Sequence, residues 1–252
     1  MSHEKHGEDQ RALSTRHLTK EFVGFEVESK WQLLTENPVP TMLRFTDEIH
    51  AGHWGPVCIA KSMGKLPVGL RYFELQFDFW AIQNKSGSPH YYHQVAMVAV
   101  VPNMDAFQVA SKEGGQSKFL CLDTGLLNPP LIRREERKGN WLKRKEVTAL
   151  ILGRFPNAEK VATMTRQKCY VYVHNVESCR NFSISADLCW YKSTTLSQVE
   201  VEYKGRNGIW LPDISGRQIA LDFLQIHRIL RGRYGGILVP TTKTKFEWIT
   251  EG

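Results

Sequence analysis

The chain has 252 residues, of which 42% are hydrophobic and 23% charged, a composition typical of a folded protein with a sizeable core. Its formal net charge of +7 favours acidic partners such as nucleic acid, anionic lipid or an acidic protein. The lack of any run of about eighteen apolar residues argues against a transmembrane helix, and the polar N-terminus lacks the apolar core of a secretory signal peptide.

The first part of the chain is predicted to be an arm followed by a pair of strands. Residues 1–20 carry both signs of charge and no apolar periodicity, which predicts a flexible N-terminal arm. The stretch 72–82, YFELQFDFWAI, alternates apolar and polar residues with the period of a half-buried strand. Turn-forming residues at 84–89 and the apolar run 94–102 then predict a second strand and an antiparallel hairpin.

A basic segment separates the two halves of the predicted sheet. Residues 132–145, IRREERKGNWLKRK, hold seven Lys or Arg around one Trp, and we predict that they form a loop. Such a loop could bind nucleic-acid phosphates or anionic membrane, serve as a nuclear localisation signal, or be simply solvated. The candidate binding residues are Arg133, Arg134, Arg137, Lys138, Trp141, Lys143, Arg144 and Lys145.

The second half of the chain is predicted to be four strands and one helix. Strand-like segments lie at 147–155, 169–176, 181–190 and 196–203. An amphipathic helix is predicted over 216–231, because four apolar residues at helical spacing form one stripe, which we expect to be core: Ile219, Phe223, Ile226 and Leu230. The chain should then end with a short apolar strand, a polar turn and a second, aromatic strand.

These elements predict an α+β fold of mostly antiparallel β-sheet, with the C-terminal amphipathic helix packed on the sheet and the flexible arm outside it. Residues 21–252 are expected to form a single β-rich globular domain.

Catalytic motifs do not stand out in the sequence. It contains no phosphate-binding Gly-rich loop before a helix, no serine nucleophile elbow and no metalloprotease signature. His50 with His53, and His90 with His93, have a spacing that a metal could use, but such histidines are more often ordinary turn or surface residues. We therefore expect no enzyme, no cofactor and no metal.

The C-terminal third carries a pattern that resembles a known family. Two adjacent strands are followed by the link GIWLPD, the amphipathic helix, a Gly-led aliphatic triplet at 236–239, and Trp248. This order resembles the C-terminal half of a rhabdovirus matrix protein, from the plant-infecting branch that replicates in the nucleus. The resemblance implies a viral structural protein that self-associates and bridges the nucleocapsid to the membrane during virion assembly and budding. It further implies viral RNA, anionic membrane and a host nuclear import receptor as partners, and the virion, host nucleus and inner membranes as locations.

A second pattern supports an alternative. The strand YYHQVAMVAVVP followed by FLCLDT is similar to motifs of the plant-virus movement protein superfamily. That resemblance implies a cell-to-cell movement protein that binds single-stranded nucleic acid. An unrelated β-rich cellular scaffold is a third possibility, because a fold alone does not determine a function.

Overall fold

The computed structural model describes residues 22–35, 37–61, 69–82, 95–100, 107–113, 131–137, 143–206 and 216–251. The strands in these residues are β1 (Phe22–Leu33), β2 (Val57–Ile59), β3 (Arg71–Ile82), β4 (Val95–Val100), β5 (Phe107–Glu113), β6 (Leu131–Arg137), β7 (Ala158–Asn175), β8 (Arg180–Tyr191), β9 (Thr194–Arg206) and β10 (Leu238–Thr241). The helices are α1 (Pro38–His50), α2 (Arg144–Arg154), α3 (Gly216–Tyr234) and α4 (Lys245–Glu251). The predicted α+β class, dominated by antiparallel β-sheet, is confirmed.

The sheet closes on itself through its first strand. Lys30 of β1 pairs with Glu200 of β9 on one edge and with Thr241 of β10 on the other. The N-terminal half of β1 pairs with β6, on the same edge as β10. Pairings therefore run from β1 through β6, β5, β4, β3, β7, β8 and β9 and back to β1. A sheet closed in this way has an inner and an outer face, and side chains alternate between them along every strand.

The outer face is apolar and carries the two long helices. Phe223 of α3 lies 5.4 Å from Phe182 of β8 between ring centroids, and Phe45 of α1 lies 4.5 Å from Tyr234. The stripe predicted on the helix is buried in the same hydrophobic cluster as the apolar residues of β7, β8 and β9: Ile219, Phe223, Ile226 and Leu230. Because the interior of an eight-stranded closed sheet has room for side chains or one small ligand but not for a helix, these helices lie on its outer side.

Three helices were absent from the sequence-based prediction. Helix α1 begins with Asn37, whose side chain accepts a hydrogen bond of 3.0 Å from the backbone N–H of Val39, and Pro38 opens its first turn. Helix α2 replaces the strand predicted over 147–155. Helix α4 replaces the aromatic strand predicted at the end of the chain, because Thr244 and Glu247 form a reciprocal capping box. Local capping therefore overrode an aromatic composition that favours strands.

The basic segment is not the loop that we predicted over 132–145. Its first part is strand β6, which pairs with β1 on one side and β5 on the other. Register places Arg133 opposite Glu26 of β1 and Arg134 opposite Glu113 of β5. The predicted N-terminal arm, residues 1–20, lies outside the described residues.

Within the described part of the chain, the helices are too short or too polar to cross a membrane.

Candidate functional site

The inner face of the sheet is charged where β1 meets β9. Glu28 and Lys30 alternate along β1 with outward-facing residues, and Glu200 and Glu202 do the same along β9. Register pairs Glu28 with Glu202 and Lys30 with Glu200, so all four side chains lie on one face.

Lys30 holds two of these carboxylates together. Its Nζ lies 2.9 Å from Glu28 Oε1 and donates to Glu200 Oε1 at 2.5 Å. The side chains of Lys30 and Glu28 are each only 3% exposed and that of Glu200 is 8% exposed. The ion pairs are therefore shielded from water. In such a buried environment, charge interactions are strongest and the desolvation of the charges costs most.

Strands β7 and β8 extend this charged face. Lys168 Nζ lies 3.7 Å from Glu200 Oε2, and Arg166 Nη1 lies 3.7 Å from Asp187 Oδ2. Asp187 is fully buried, and its Oδ1 has no hydrogen-bond partner among the described residues. A buried carboxylate oxygen left in this state points to a water or a ligand as its missing partner.

The C-terminal helix adds one more cation. Lys245 Nζ lies 2.6 Å from Glu200 Oε1 and 2.8 Å from Asp187 Oδ2. It reaches them because α4 packs over the apolar end of the inner face, with Ile249 buried beside Phe77. Lys204 completes the set through an ion pair with Glu202. We call these nine side chains the inner network: Glu28, Lys30, Arg166, Lys168, Asp187, Glu200, Glu202, Lys204 and Lys245.

The inner network shifts the titration of its members. Burial alone would raise the pKa of Glu200, but the charges of Lys245, Lys30 and Lys168 hold that pKa well below its usual range. Burial lowers the pKa of Lys168, and the nearby Asp187 only partly opposes this. Burial also acts to lower the pKa of Lys245, but Asp187 and Glu200 outweigh it and raise that pKa. Perturbed, mutually facing ionisable groups of this kind cluster at functional sites.

Stability does not explain the inner network. A buried ion pair costs several kcal/mol per ion in desolvation, and a well-packed apolar replacement is often as stable or more so. The outer face of the same strands is packed in that apolar way. The inner network is therefore the candidate functional site, with five cations and four carboxylates in reach of one another.

Next to the inner network lies an aromatic group. Tyr170 follows Lys168 by two residues on β7 and therefore shares its face; its ring centroid lies 5.8 Å from that of Phe73 and 5.5 Å from that of Tyr172. Burial raises the pKa of Tyr170, and the positive charges of Arg71 and Lys204 oppose that rise. The inner face thus passes from charged to aromatic along a single strand.

The predicted binding residues lie elsewhere or in parts of the chain whose side chains are not described. Arg133, Arg134 and Arg137 belong to strand β6. Lys143 precedes α2, and Lys145 is exposed in the first turn of that helix after Arg144. Lys138 and Trp141 are outside the described residues. Binding of RNA, membrane or an import receptor by this segment, and self-association of the chain, stay predictions.

Sequence reasoning missed the whole inner network. The available signal was a charged alternation in two strands, Glu26, Glu28 and Lys30 in the first and Gln198, Glu200, Glu202 and Lys204 in the last of the closed sheet. An alternating strand normally has its polar side in water, so the pattern by itself indicated a solvent-exposed face. Only the closure of the sheet turns that face inward.

No protein family matches the chain, and no curated protein does. Solved structures do. A "putative adenylate cyclase" from Bacillus halodurans shares 11% identity at a TM-score of 0.48, over 90% of this chain and 97% of the other. One from Vibrio parahaemolyticus shares 10% at 0.49, over 90% and 98%. A "putative adenylyl cyclase" from Hippeastrum, described as having a dominant triphosphatase activity, shares 12% at 0.47, over 90% and 96%.

These comparisons overturn the predicted identity. The structures named are cyclase-type and triphosphatase proteins, so the suggested membership of the rhabdovirus matrix family is wrong, as are the matrix and movement functions and the virion and budding roles derived from it. The expectation that the chain is not an enzyme is wrong as well. A nuclear or virion location is left without support. The physical reason lies in the C-terminal pattern of strands, helix and Trp, which describes local elements that many folds share.

Proposed function

We propose that the inner network binds a polyphosphate chain together with a divalent cation and hydrolyses a phosphoanhydride bond of that chain. The observation that carries this proposal is the convergence of five buried or partly buried cations from four separate elements on one face. They are Lys30 of β1, Arg166 and Lys168 of β7, Lys204 of β9 and Lys245 of α4. The likeness to solved structures is too low to add to it.

The spacing of the cations suits an extended anion better than a single small one. Arg166 and Lys168 lie two residues apart on one strand, about 6.6 Å along its axis. Lys204 and Lys30 reach the same face from neighbouring strands. Lys and Arg are the usual partners of phosphate oxygens, and a chain of phosphates can contact several of them at once.

The carboxylates explain why a divalent cation belongs in the proposal. Glu28 and Glu202 lie directly opposite each other in register, an arrangement of like charges that destabilises a sheet unless cations compensate it. Lysines compensate each of them here, Lys30 on Glu28 and Lys204 on Glu202. Magnesium is commonly held by one or two carboxylates plus substrate phosphates, and this pair provides those hard oxygen ligands.

When bound, a divalent cation would neutralise phosphate charge and fix the orientation of the chain. The residues of this protein would do the rest. Arg166, Lys168 and Lys245 would stabilise the charge that spreads over the transferred phosphoryl group. The oxygen of a water molecule forms the new bond to phosphorus, while the anhydride bond breaks and its electrons leave with the shortened chain. The water proton passes to an inner-face carboxylate.

The test uses inorganic tripolyphosphate. Binding is measured by calorimetry, and phosphate release is measured with and without Mg²⁺ or Mn²⁺. We expect the unmodified protein to bind and hydrolyse tripolyphosphate only with the metal present. Lys168→Ala should lose most of both activities, since its ammonium faces the buried carboxylates, whereas the exposed Lys61→Ala should match the unmodified protein. An unmodified protein that neither binds nor cleaves tripolyphosphate with either metal would refute the proposal.

A further inference from the structure

A cysteine and a histidine lie side by side on the inner face, on strands β2 and β7. Cys58 is directly opposite His174 in register, a position in which the Cβ atoms of an antiparallel pair are about 4.5–5.5 Å apart. Their neighbours Val57 and Val173 are buried in the outer hydrophobic cluster. Because side chains alternate between the two faces along a strand, Cys58 and His174 both point to the inner face.

A third strand orients the histidine. Asn181 of β8 lies opposite His174 in register, and its Oδ1 is 2.8 Å from His174 Nδ1. An amide oxygen only accepts hydrogen bonds, so Nδ1 carries the ring hydrogen and Nε2 of the neutral ring keeps a lone pair. Asn181 is 3% exposed, which shields this hydrogen bond from water. His174 is therefore held as a base, with Cys58 on the strand at its other side.

The other cysteines of the described residues lack this arrangement. Cys169 and Cys189 are buried, and burial raises the pKa of both thiols, that of Cys189 to about 12. Cys179 is partly exposed like Cys58, but it lies in the turn between β7 and β8, where its Sγ donates to the carbonyl of Val176. Cys58 alone among these four combines partial exposure with a histidine opposite it. Accessible thiols beside a basic group are the reactive ones in proteins.

The position of the pair relates it to the inner network. Helix α4 covers the end of the inner face where Met164 is buried with Ile249. The inward side of β7 continues from there through Lys168 to His174, six residues further on and about 20 Å along the strand. Cys58 and His174 are both partly exposed. The pair therefore lies where the inner face opens to solvent, at the end opposite α4.

We propose that Cys58 is a reactive thiol that takes up a small disulfide by thiol–disulfide exchange, with His174 as the base. The Cys58 proton passes to His174 Nε2, and the Cys58 sulfur attacks one sulfur of the disulfide. A new S–S bond forms to Cys58, the old S–S bond breaks, and its electron pair leaves on the second sulfur, which takes the proton. Cys58 is oxidised, and the departing half of the disulfide is reduced.

The group left on Cys58 would block the entrance to the inner network. This consequence rests on the proposed function, because it presumes that a phosphate chain enters at the end opposite α4. The reactivity of the thiol does not depend on the proposed function and is tested by itself.

The first test measures reaction rates in the unmodified protein. The protein is treated with oxidised glutathione at pH 7, and mass spectrometry of its peptides follows the mixed disulfides on Cys58 and on Cys179, which is the control because it is also partly exposed. A free thiol is only a few per cent ionised near pH 7, so a neighbouring base should make Cys58 react about tenfold faster than Cys179. If Cys58 reacts no faster than Cys179, the proposal is wrong.

A variant then assigns the effect to His174. His174→Gln keeps an amide that can hydrogen-bond to Asn181 but cannot take up the proton, so Cys58 should react about tenfold more slowly, while the rate at Cys179 stays unchanged. The buried Cys169 and Cys189 should remain unreactive, which shows that the variant is folded. An unchanged rate at Cys58 in the folded variant would overturn the role of His174.

The last test concerns the entrance. Tripolyphosphate binding with Mg²⁺ is measured by calorimetry before and after treatment with oxidised glutathione. Treatment should abolish binding by the unmodified protein, dithiothreitol should restore it, and Cys58→Ser should bind equally before and after treatment. If the adduct forms on Cys58 and binding persists, Cys58 does not control the entrance. If the untreated protein does not bind tripolyphosphate, the proposed function fails, and the reaction rates still decide whether Cys58 is a reactive thiol.

Discussion

The two faces of the closed sheet are built from the same strands and have opposite chemistry. Along β9, Val199 and Val201 face outward into the hydrophobic cluster under α3, while Glu200 and Glu202 face inward into the inner network. The outer face stabilises the protein by burying apolar surface. The buried charges of the inner face lower the stability of the protein, as the perturbed ionisable groups of a functional site often do. The comparison predicts that substitutions on the two faces will separate stability from ligand binding.

The largest expected effect is on the outer face. Phe223 is fully buried against Phe182, so Phe223→Ala should lower the free energy of unfolding by about 3–5 kcal/mol. Chemical denaturation measures this change. At a temperature where the variant is still folded, its affinity for tripolyphosphate should equal that of the unmodified protein. If the substitution left the free energy of unfolding unchanged, the apolar packing of the outer face would not be what stabilises the protein.

The next effect comes from pH and again concerns the outer face. His227 is buried between Trp31 and Phe223, and its Nε2 lies 2.7 Å from Ser29 Oγ. Burial lowers the pKa of His227 to about 4, while in the unfolded chain it is about 6.5. The unfolded state binds the proton more readily, so stability is fully present above pH 6.5 and falls toward pH 4 by about 2–3 kcal/mol.

The control for this pH effect is His227→Gln, which cannot take up a proton. Unfolding free energies at pH 7.5 and pH 4.5 are compared for the two proteins. The unmodified protein should lose more stability between these values than the variant does. Equal losses would show that His227 does not carry the effect and that other groups, such as the carboxylates, account for it.

A smaller loss of stability is expected on the inner face, together with a large loss of binding. Lys245→Met removes a cation from Glu200 and Asp187, but Lys30, Lys168 and Arg166 remain beside them. The free energy of unfolding should fall by about 1.5–3 kcal/mol, the contribution of a hydrogen bond to a charged group. Tripolyphosphate binding should weaken strongly. Lys61→Met, at an exposed position outside the inner network, should change neither quantity. If the Lys245→Met protein bound tripolyphosphate as tightly as the unmodified protein, α4 would not contribute to the binding site.

The smallest effect is expected in the basic segment. Lys145 is exposed in the first turn of α2, so Lys145→Ala should change the free energy of unfolding by less than about 0.5 kcal/mol. Tripolyphosphate affinity should not change. A clear loss of affinity in calorimetry would extend the binding surface beyond the inner network to this helix.

The sequence predicted those elements whose signal is local. The hairpin of β3 and β4, the strands β7, β8 and β9, and the helix α3 all follow from periodicity within about ten to twenty residues. Helices α1 and α4 could have been predicted from their caps, Asn37 before Pro38 and Thr244 before Glu247. No element was predicted where α1 lies, and the aromatic residues of α4 favoured a strand.

Only the tertiary structure decided which polar face is the functional one. The charged alternation of β1 and that of β9 are each ordinary for a strand with one side in water. Lys30 and Glu200 are 170 residues apart in the chain, and their contact exists because β1 pairs with β9 and closes the sheet. The same closure turns the charged faces of β1 and β9, whose sequence patterns are those of solvent-exposed faces, into one enclosed site. The packing of α4 then brings Lys245 into that site. Periodicity reports the environment of a residue within its own strand, whereas the identity of its partners depends on which distant strand pairs beside it.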